Sequence, residues 1–199
     1  PLQIYGERFR NNPDNVSYGL DFAERLLNAD RPEDAIDVLK QVIIQDKTSK
    51  VAYRKLGLAY DRADFYNEAS NAYEELHALD PRDYKVAIQV SDVNIADGNY
   101  GKAMRWAEKA ITSSKTGEAY GQRGNVYYKA FQECRSADIS IDDRIIASLA
   151  HQSFKLAEQN DYRRFHNSLL WLEENEVLFG RSQWFMLDAN KKKQGYIKP

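Results

Sequence analysis

"VAYRKLGLAYDRADFYNEASNAYEELHALDP" runs from Val51 to Pro81. It carries two apolar patterns at helical spacing, a break around Asp64 and a Leu-Asp-Pro stop, and so reads as two helices joined by a turn. The punctuation recurs. Pro13 follows "NN" as Pro81 follows Asp80, the two prolines stand 68 residues apart, twice 34, and Lys47 after "IIQD" marks the midpoint. Counting from these stops gives units 16–49, 50–83 and 84–116, with a fourth opening at Gly117 and running to 160. A repeat of this length is one helical hairpin, unable to bury its apolar faces alone.

The stripes inside each unit agree with that division. Ala35, Ala69 and Ala103 open the second helices; four residues on come Leu39, Tyr73 and Ala107, and three further Val42, Leu76 and Ala110. Steps of four and three return to one helix face. In the first helices Phe22-Ala23, Leu56-Gly57, Val90-Ser91 and Arg123-Gly124 align, the second member small because a neighbouring helix passes close there. Leu26, Tyr60 and Tyr127 follow one turn later as larger fillers, and the turns "NADRPEDA", "DRADFYNEA" and "ADGNYGKA" supply Asp, Asn, Gly or Pro.

Tyr53, Leu56, Gly57, Tyr60, Ala69, Tyr73 and Pro81 stand at the spacing of the tetratricopeptide repeat (TPR), and residues 16–160 resemble that family. The resemblance implies an all-α, right-handed superhelical TPR solenoid of antiparallel helix pairs, with a concave and a convex side. Two departures predict more polar interfaces: Asn94 in place of the third unit's tyrosine, and Arg123 in place of the fourth unit's leucine. The fourth unit is stretched by 14 residues between Ala130 and Ala150, which predicts a protruding hairpin with about two turns added to each helix, an omega-like loop being the alternative. "SIDD" at Ser140–Asp143 reads as a capping box opening its second helix. Residues 124–185 also resemble the terminal repeat of bacterial, largely Bacteroidetes-type, TPR proteins with an elongated last hairpin followed by a Trp-Phe pair.

The ends read as caps. Residues 1–15 resemble the end of a truncated preceding repeat, and 161–179 predict a capping helix whose Phe165, Leu169 and Leu172 cover the last repeat. Segment 180–199 holds Trp184, Phe185 and Met186, able to fold back, then the polar tail "NKKKQGYIKP". The chain opens at Pro1 with no initiator Met and no signal peptide, which leaves open whether it is excised from a longer protein, and whether it works in cytoplasm or periplasm.

Composition narrows the function. With 43% apolar and 29% charged residues the 199-residue chain is globular in character; a net charge of −2 demands no nucleic-acid partner. The single cysteine, Cys134, excludes an internal disulfide framework, and no apolar run is long enough for membrane insertion. No phosphate loop, HExxH or paired-cysteine spacing is present, and His77, His151 and His166 are scattered, so no enzyme, cofactor or metal site is expected. Lys191–Lys193 with Lys198 read as a solvated tail.

In the resemblance, the first helices line the concave groove, at positions two, five, nine, twelve and thirteen of each unit. These select Leu20, Glu24 and Leu27; Arg54, Leu58, Asp61 and Arg62; Lys85, Ile88, Asp92 and Ile95; then Gly121, Asn125, Tyr128 and Lys129. The Lys/Asn/Arg clamp by which chaperone-binding TPR modules hold a terminal carboxylate is missing, since its positions carry Leu20, Glu24 and Lys55. What is expected instead is an apolar stripe, Leu20, Leu27, Leu58, Ile88 and Ile95, edged by mixed charge and suited to a peptide or helical segment of a protein partner. The alternative is a subunit or assembly factor of a larger complex, contacting neighbours through the hairpin at 131–149, the C-terminal segment and the convex face.

Overall fold

A computed structural model describes residues 2–180. Among them are ten helices and no strand: α1 (Leu2–Asn11), α2 (Val16–Asn28), α3 (Pro32–Gln45), α4 (Lys50–Arg62), α5 (Tyr66–Leu79), α6 (Tyr84–Ala96), α7 (Tyr100–Ser113), α8 (Gly117–Cys134), α9 (Ile141–Gln159) and α10 (His166–Glu174). The chain forms two compact units that divide after Val93.

The turns show the 34-residue period most plainly. Asp30, Asp64 and Gly98, each 34 residues after the last, adopt positive φ of 55°, 59° and 74°. The N–H of the following residue then reaches back to close the helix end: Arg31 to the Leu26 carbonyl (3.0 Å), Phe65 to Tyr60 (2.9 Å), Asn99 to Asn94 (2.8 Å). This is a Schellman stop, which requires a left-handed residue that glycine, and to a lesser degree aspartate, tolerates. Asp161 (φ 60°) repeats the device at the end of α9, with the Tyr162 N–H on the Ala157 carbonyl at 3.0 Å.

In the first unit α1 to α5 pack successively, with α2 also meeting α4. Its core is built from Phe9, Leu26, Leu39 and Leu56 around the small residues Ala23, Ala35 and Ala59, all three fully buried. The glycine at the small position acts by receiving a ring: a Cβ at Gly57 would lie 2.5 Å from Tyr73. In the second unit Gly124 receives Phe154 at the same 2.5 Å. Arg123 there stays polar and useful, its guanidinium reaching Ser153 Oγ at 3.1 Å and the Glu108 carboxylate at 3.4 Å. Asn94 is buried, and its backbone carbonyl takes the Schellman bond of that turn.

The long hairpin exists, with a different distribution of the extra residues. Helices α8 (18 residues) and α9 (19) exceed α4 (13) and α5 (14) by five each, about one and a half turns rather than two. The remainder lies in the link 135–140. Ser140 and Asp143 form the capping box: the Asp143 N–H donates to Ser140 Oγ (3.1 Å), while Asp143 Oδ2 accepts from the Ser140 N–H (2.9 Å) and the Ser136 N–H (3.3 Å). Burial pushes the Asp143 carboxyl up, but these donors outweigh it and hold it below the usual range. Its stabilisation is therefore present above the ordinary aspartate pKa and lost as pH falls through the depressed one. Asp143→Ala is expected to cost about 1 kcal/mol at neutral pH, with wild type and variant converging in acid, read by urea unfolding at both pH values.

The capping helix is shorter than 161–179. The left-handed Asp161 ends α9, residues 162–165 turn so that Phe165 stacks on Phe154 (5.1 Å, 21°), and α10 covers only His166–Glu174. Asn175 donates to the Trp171 carbonyl at 2.7 Å, and Glu176 enters positive φ, which stops the helix. Leu169 and Leu172 are buried against Phe131, Phe154 and Ile146. Arg144 then pins the chain beyond α10 by donating to the Glu176 carbonyl. Trp184, Phe185, Met186 and the lysines of 191–198 lie outside the described residues.

Candidate partner-binding surface

Side-chain bonds stitch the first helices of the first unit to one another. Lys55 on α4 pairs with Glu24 on α2 at 3.1 Å, and Arg62 on α4 donates to the Leu27 carbonyl of α2 at 2.8 Å. Arg54, one turn from the start of α4, reaches forward to Asp83 (3.1 Å) and to Gln89 on α6 (3.2 Å). Lys50 and Asp80 add a further pair at 2.8 Å. Exposed pairs of this kind contribute little stability individually, but each fixes the register of a neighbouring helix. Glu24 and Lys55, two positions of the absent carboxylate clamp, thus neutralise each other.

The aliphatic stripe is sunk into this wall. Leu27 (5% exposed) and Ile88 (7%) are buried, and Leu20 and Leu58 are half-buried, both packed against the first unit's core. The first unit's core thus takes in Leu20, Leu27 and Leu58, aliphatic side chains that pattern alone leaves in a groove. What faces water is mainly charge: Glu24, Arg54, Arg62 and Lys85 line the surface, with Asp61 and Asp92 half-buried.

Asp61 differs from the rest. It is half-buried, yet no side-chain hydrogen bond or ion pair holds its carboxylate among the described residues. Burial, then the neighbouring Asp64 charge, raise its pKa above the ordinary carboxylate value; Arg62 only partly offsets them. Close by lies Tyr73, whose phenol is pushed well up by burial, with the Asp61 and Asp92 charges adding and Arg54 and Arg62 opposing. Arg54, Asp61, Arg62 and Asp92 are thus the charges that act on the Tyr73 phenol.

In the second unit the selected positions are differently placed. Ile95 packs against Tyr100, Ala103 and Val126. Asn125 is half-buried, whereas Lys129 on the same helix is exposed. Tyr128 is buried against Phe154 (6.0 Å) and Trp171 (6.1 Å), while the rings of Tyr162 and Phe165 close over Gly121. The chain's own C-terminal turn covers this part of α8. Two of the histidines serve it: His151 meets Glu173 at 2.9 Å, joined there by Lys155, and His166 meets Glu158 at 2.6 Å. His77 is buried in α5. Asp83 and Gln89, which hold Arg54, lie outside the groove positions, and their separations of 29 and 35 residues from it carry no pattern by which sequence could select them.

Among the described residues no group of three or more His, Cys, Asp and Glu is placed to hold a metal ion, and no helix is long and apolar enough to cross a membrane. No protein-family model matches the sequence, and no curated protein matches it either. Solved structures do. The crystal structure of MamA superposes with a TM-score of 0.66 at 24% identity over 80% of this chain and 86% of that one. The structure of YrrB, a TPR protein with an unusual peptide-binding site, gives 0.58 at 15% identity over 89% of this chain and 88% of that one. The chain has the TPR fold. A thermophilic TPR protein of Thermus thermophilus adds a TM-score of 0.58 at 16% identity, covering 85% of this chain and 89% of that one. At these identities the likeness speaks for the TPR architecture alone.

Proposed function

We propose that this TPR chain is a protein–protein interaction scaffold without chemistry of its own, holding an extended or helical segment of a protein partner along the first helices of its first unit. Arg54, Leu58, Asp61 and Arg62 form the centre of that surface, with Leu20, Glu24, Lys85 and Asp92 at its edges. The positions on α8 are left out, because Trp171 packs on Tyr128 and the rings of Tyr162 and Phe165 close over Gly121, one turn before Asn125.

The observation that carries the reading is Asp61. A half-buried carboxylate without a donor is a standing cost to the folded chain, and one that a ligand N–H would relieve. The wall around it is preorganised by the Glu24–Lys55 and Arg54–Asp83 pairs, so little ordering is required when a segment docks.

The test separates binding from folding by their opposite signs. Since burial raises the Asp61 pKa, ionised Asp61 weakens the fold, and stability is lost as pH rises through that pKa. Asp61→Asn is expected to stabilise the protein at pH 7 by about a few tenths of a kcal/mol, water screening a half-exposed group, and to have no effect in acid. The same variant is expected to lose at least tenfold in partner affinity. A variant that is more stable and binds undiminished would remove Asp61 from the site.

A further inference from the structure

A pocket of about 370 Å³ opens between α3, the end of α4 and the start of α5, and shares no residue with the surface just described. Its floor is apolar: buried Ile36, then Tyr60 and Phe65, whose rings meet edge-on at 6.4 Å. Its rim is acidic, with Glu33 and Asp37 from α3 and Glu68 from α5. None of these three carboxylates has a side-chain hydrogen bond or ion pair among the described residues.

Two independent observations say what the pocket takes. Lys40, at its edge, lays its ammonium over the Tyr60 ring at 5.6 Å, so the aromatic floor already receives a cation from the chain itself. Phe65, 45% exposed, stands at the N-cap of α5 and makes no cap hydrogen bond. The residue 34 positions on, Asn99, caps α7 by accepting from the Lys102 N–H at 3.1 Å. A wet aromatic ring thus stands where Asn99 shows that a serviceable cap fits, although Arg31, 34 positions earlier, is also an N-cap without a side-chain bond.

We propose that this pocket is a second docking site, taking an arginine side chain of a partner protein. The guanidinium is flat enough to stack on Phe65 and Tyr60, is weakly hydrated, and its fork of donors can engage carboxylates on both sides of the pocket. Three free carboxylates against the single Lys40 leave the pocket short of positive charge. The arginine stem lies along Ile36.

The test is an NMR titration of the full chain with two blocked hexapeptides that differ only in arginine against citrulline, equal in shape but not in charge. The arginine peptide is expected to shift the amides of Tyr60, Phe65 and Glu68 saturably, and to bind at least tenfold more tightly than its citrulline twin. Phe65→Asn, which restores a cap, is expected to abolish that binding while the melting temperature holds or rises; Glu68→Gln is expected to weaken it several-fold. Equal binding of the two peptides, shifts centred elsewhere, or full affinity in Phe65→Asn overturns the proposal. So does tighter binding of a synthetic Asn190–Pro199 peptide, which makes the chain's own lysine tail the occupant, or concentration-dependent shifts at these amides without peptide, which makes it a second copy.

Discussion

Phe154→Ala is expected to destabilise the second unit by about 3–5 kcal/mol, the largest effect of any single truncation in that half. The ring is 1% exposed and meets Gly124, Tyr128 and Phe165 at once. Its loss opens a cavity that helix backbone cannot readily close, because α8 and α9 pack along their lengths and are bridged by the Arg123–Ser153 bond. It also removes the surface on which Phe165 stacks, so α10 should loosen with it. Amide hydrogen exchange checks both points: protection is expected to fall throughout 166–174 in the variant, beyond the uniform loss that lower global stability produces. Retained protection in α10 would mean that Leu169 and Leu172 alone seat the cap.

The second large effect concerns the ring on Gly57. Tyr73→Ala is expected to cost about 3–5 kcal/mol as a cavity, and Gly57→Ala about 1–3 kcal/mol by overpacking, since its new methyl group has no room against the phenol. The two changes occupy the same space, so the double variant is expected to be more stable than the sum of the singles predicts. Chemical denaturation of the four proteins measures the coupling. Additive costs would show that Tyr73 and Gly57 act separately and that the small position has another reason.

The residues that make the fold legible from sequence are those whose role is purely steric and periodic. Ala69, Gly57, Tyr73 and Leu76 recur at 34-residue spacing because each hairpin offers the next the same concavity, and period alone exposes them. The left-handed turn residues Asp30, Asp64 and Gly98 carry the same period, but Asp tolerates both loop and helix-terminal backbone, so sequence gives their place and not their conformation. Pattern alone overstates the length of α10, because apolar residues continue to Val177 and Leu178 whereas the backbone has already turned at Asn175. Groove positions are selectable by register, but their exposure is not. Leu27 and Ile88 are buried, a consequence of long-range packing that register does not encode, and Arg54 is claimed by Asp83, 29 residues away. Asp61 can be named from position; only burial reveals that it lacks a donor.

The most direct measurement of the interaction surface is a quantified pull-down from native lysate with the wild-type chain, Asp61→Arg and Phe65→Asn, read by mass spectrometry with circular dichroism as the folding control. The account predicts that Asp61→Arg, equally helical, loses the principal partner captured by wild type, because it reverses the charge at the centre of the proposed surface. Undiminished capture of that partner by Asp61→Arg would contradict it and move the binding surface off α2, α4 and α6.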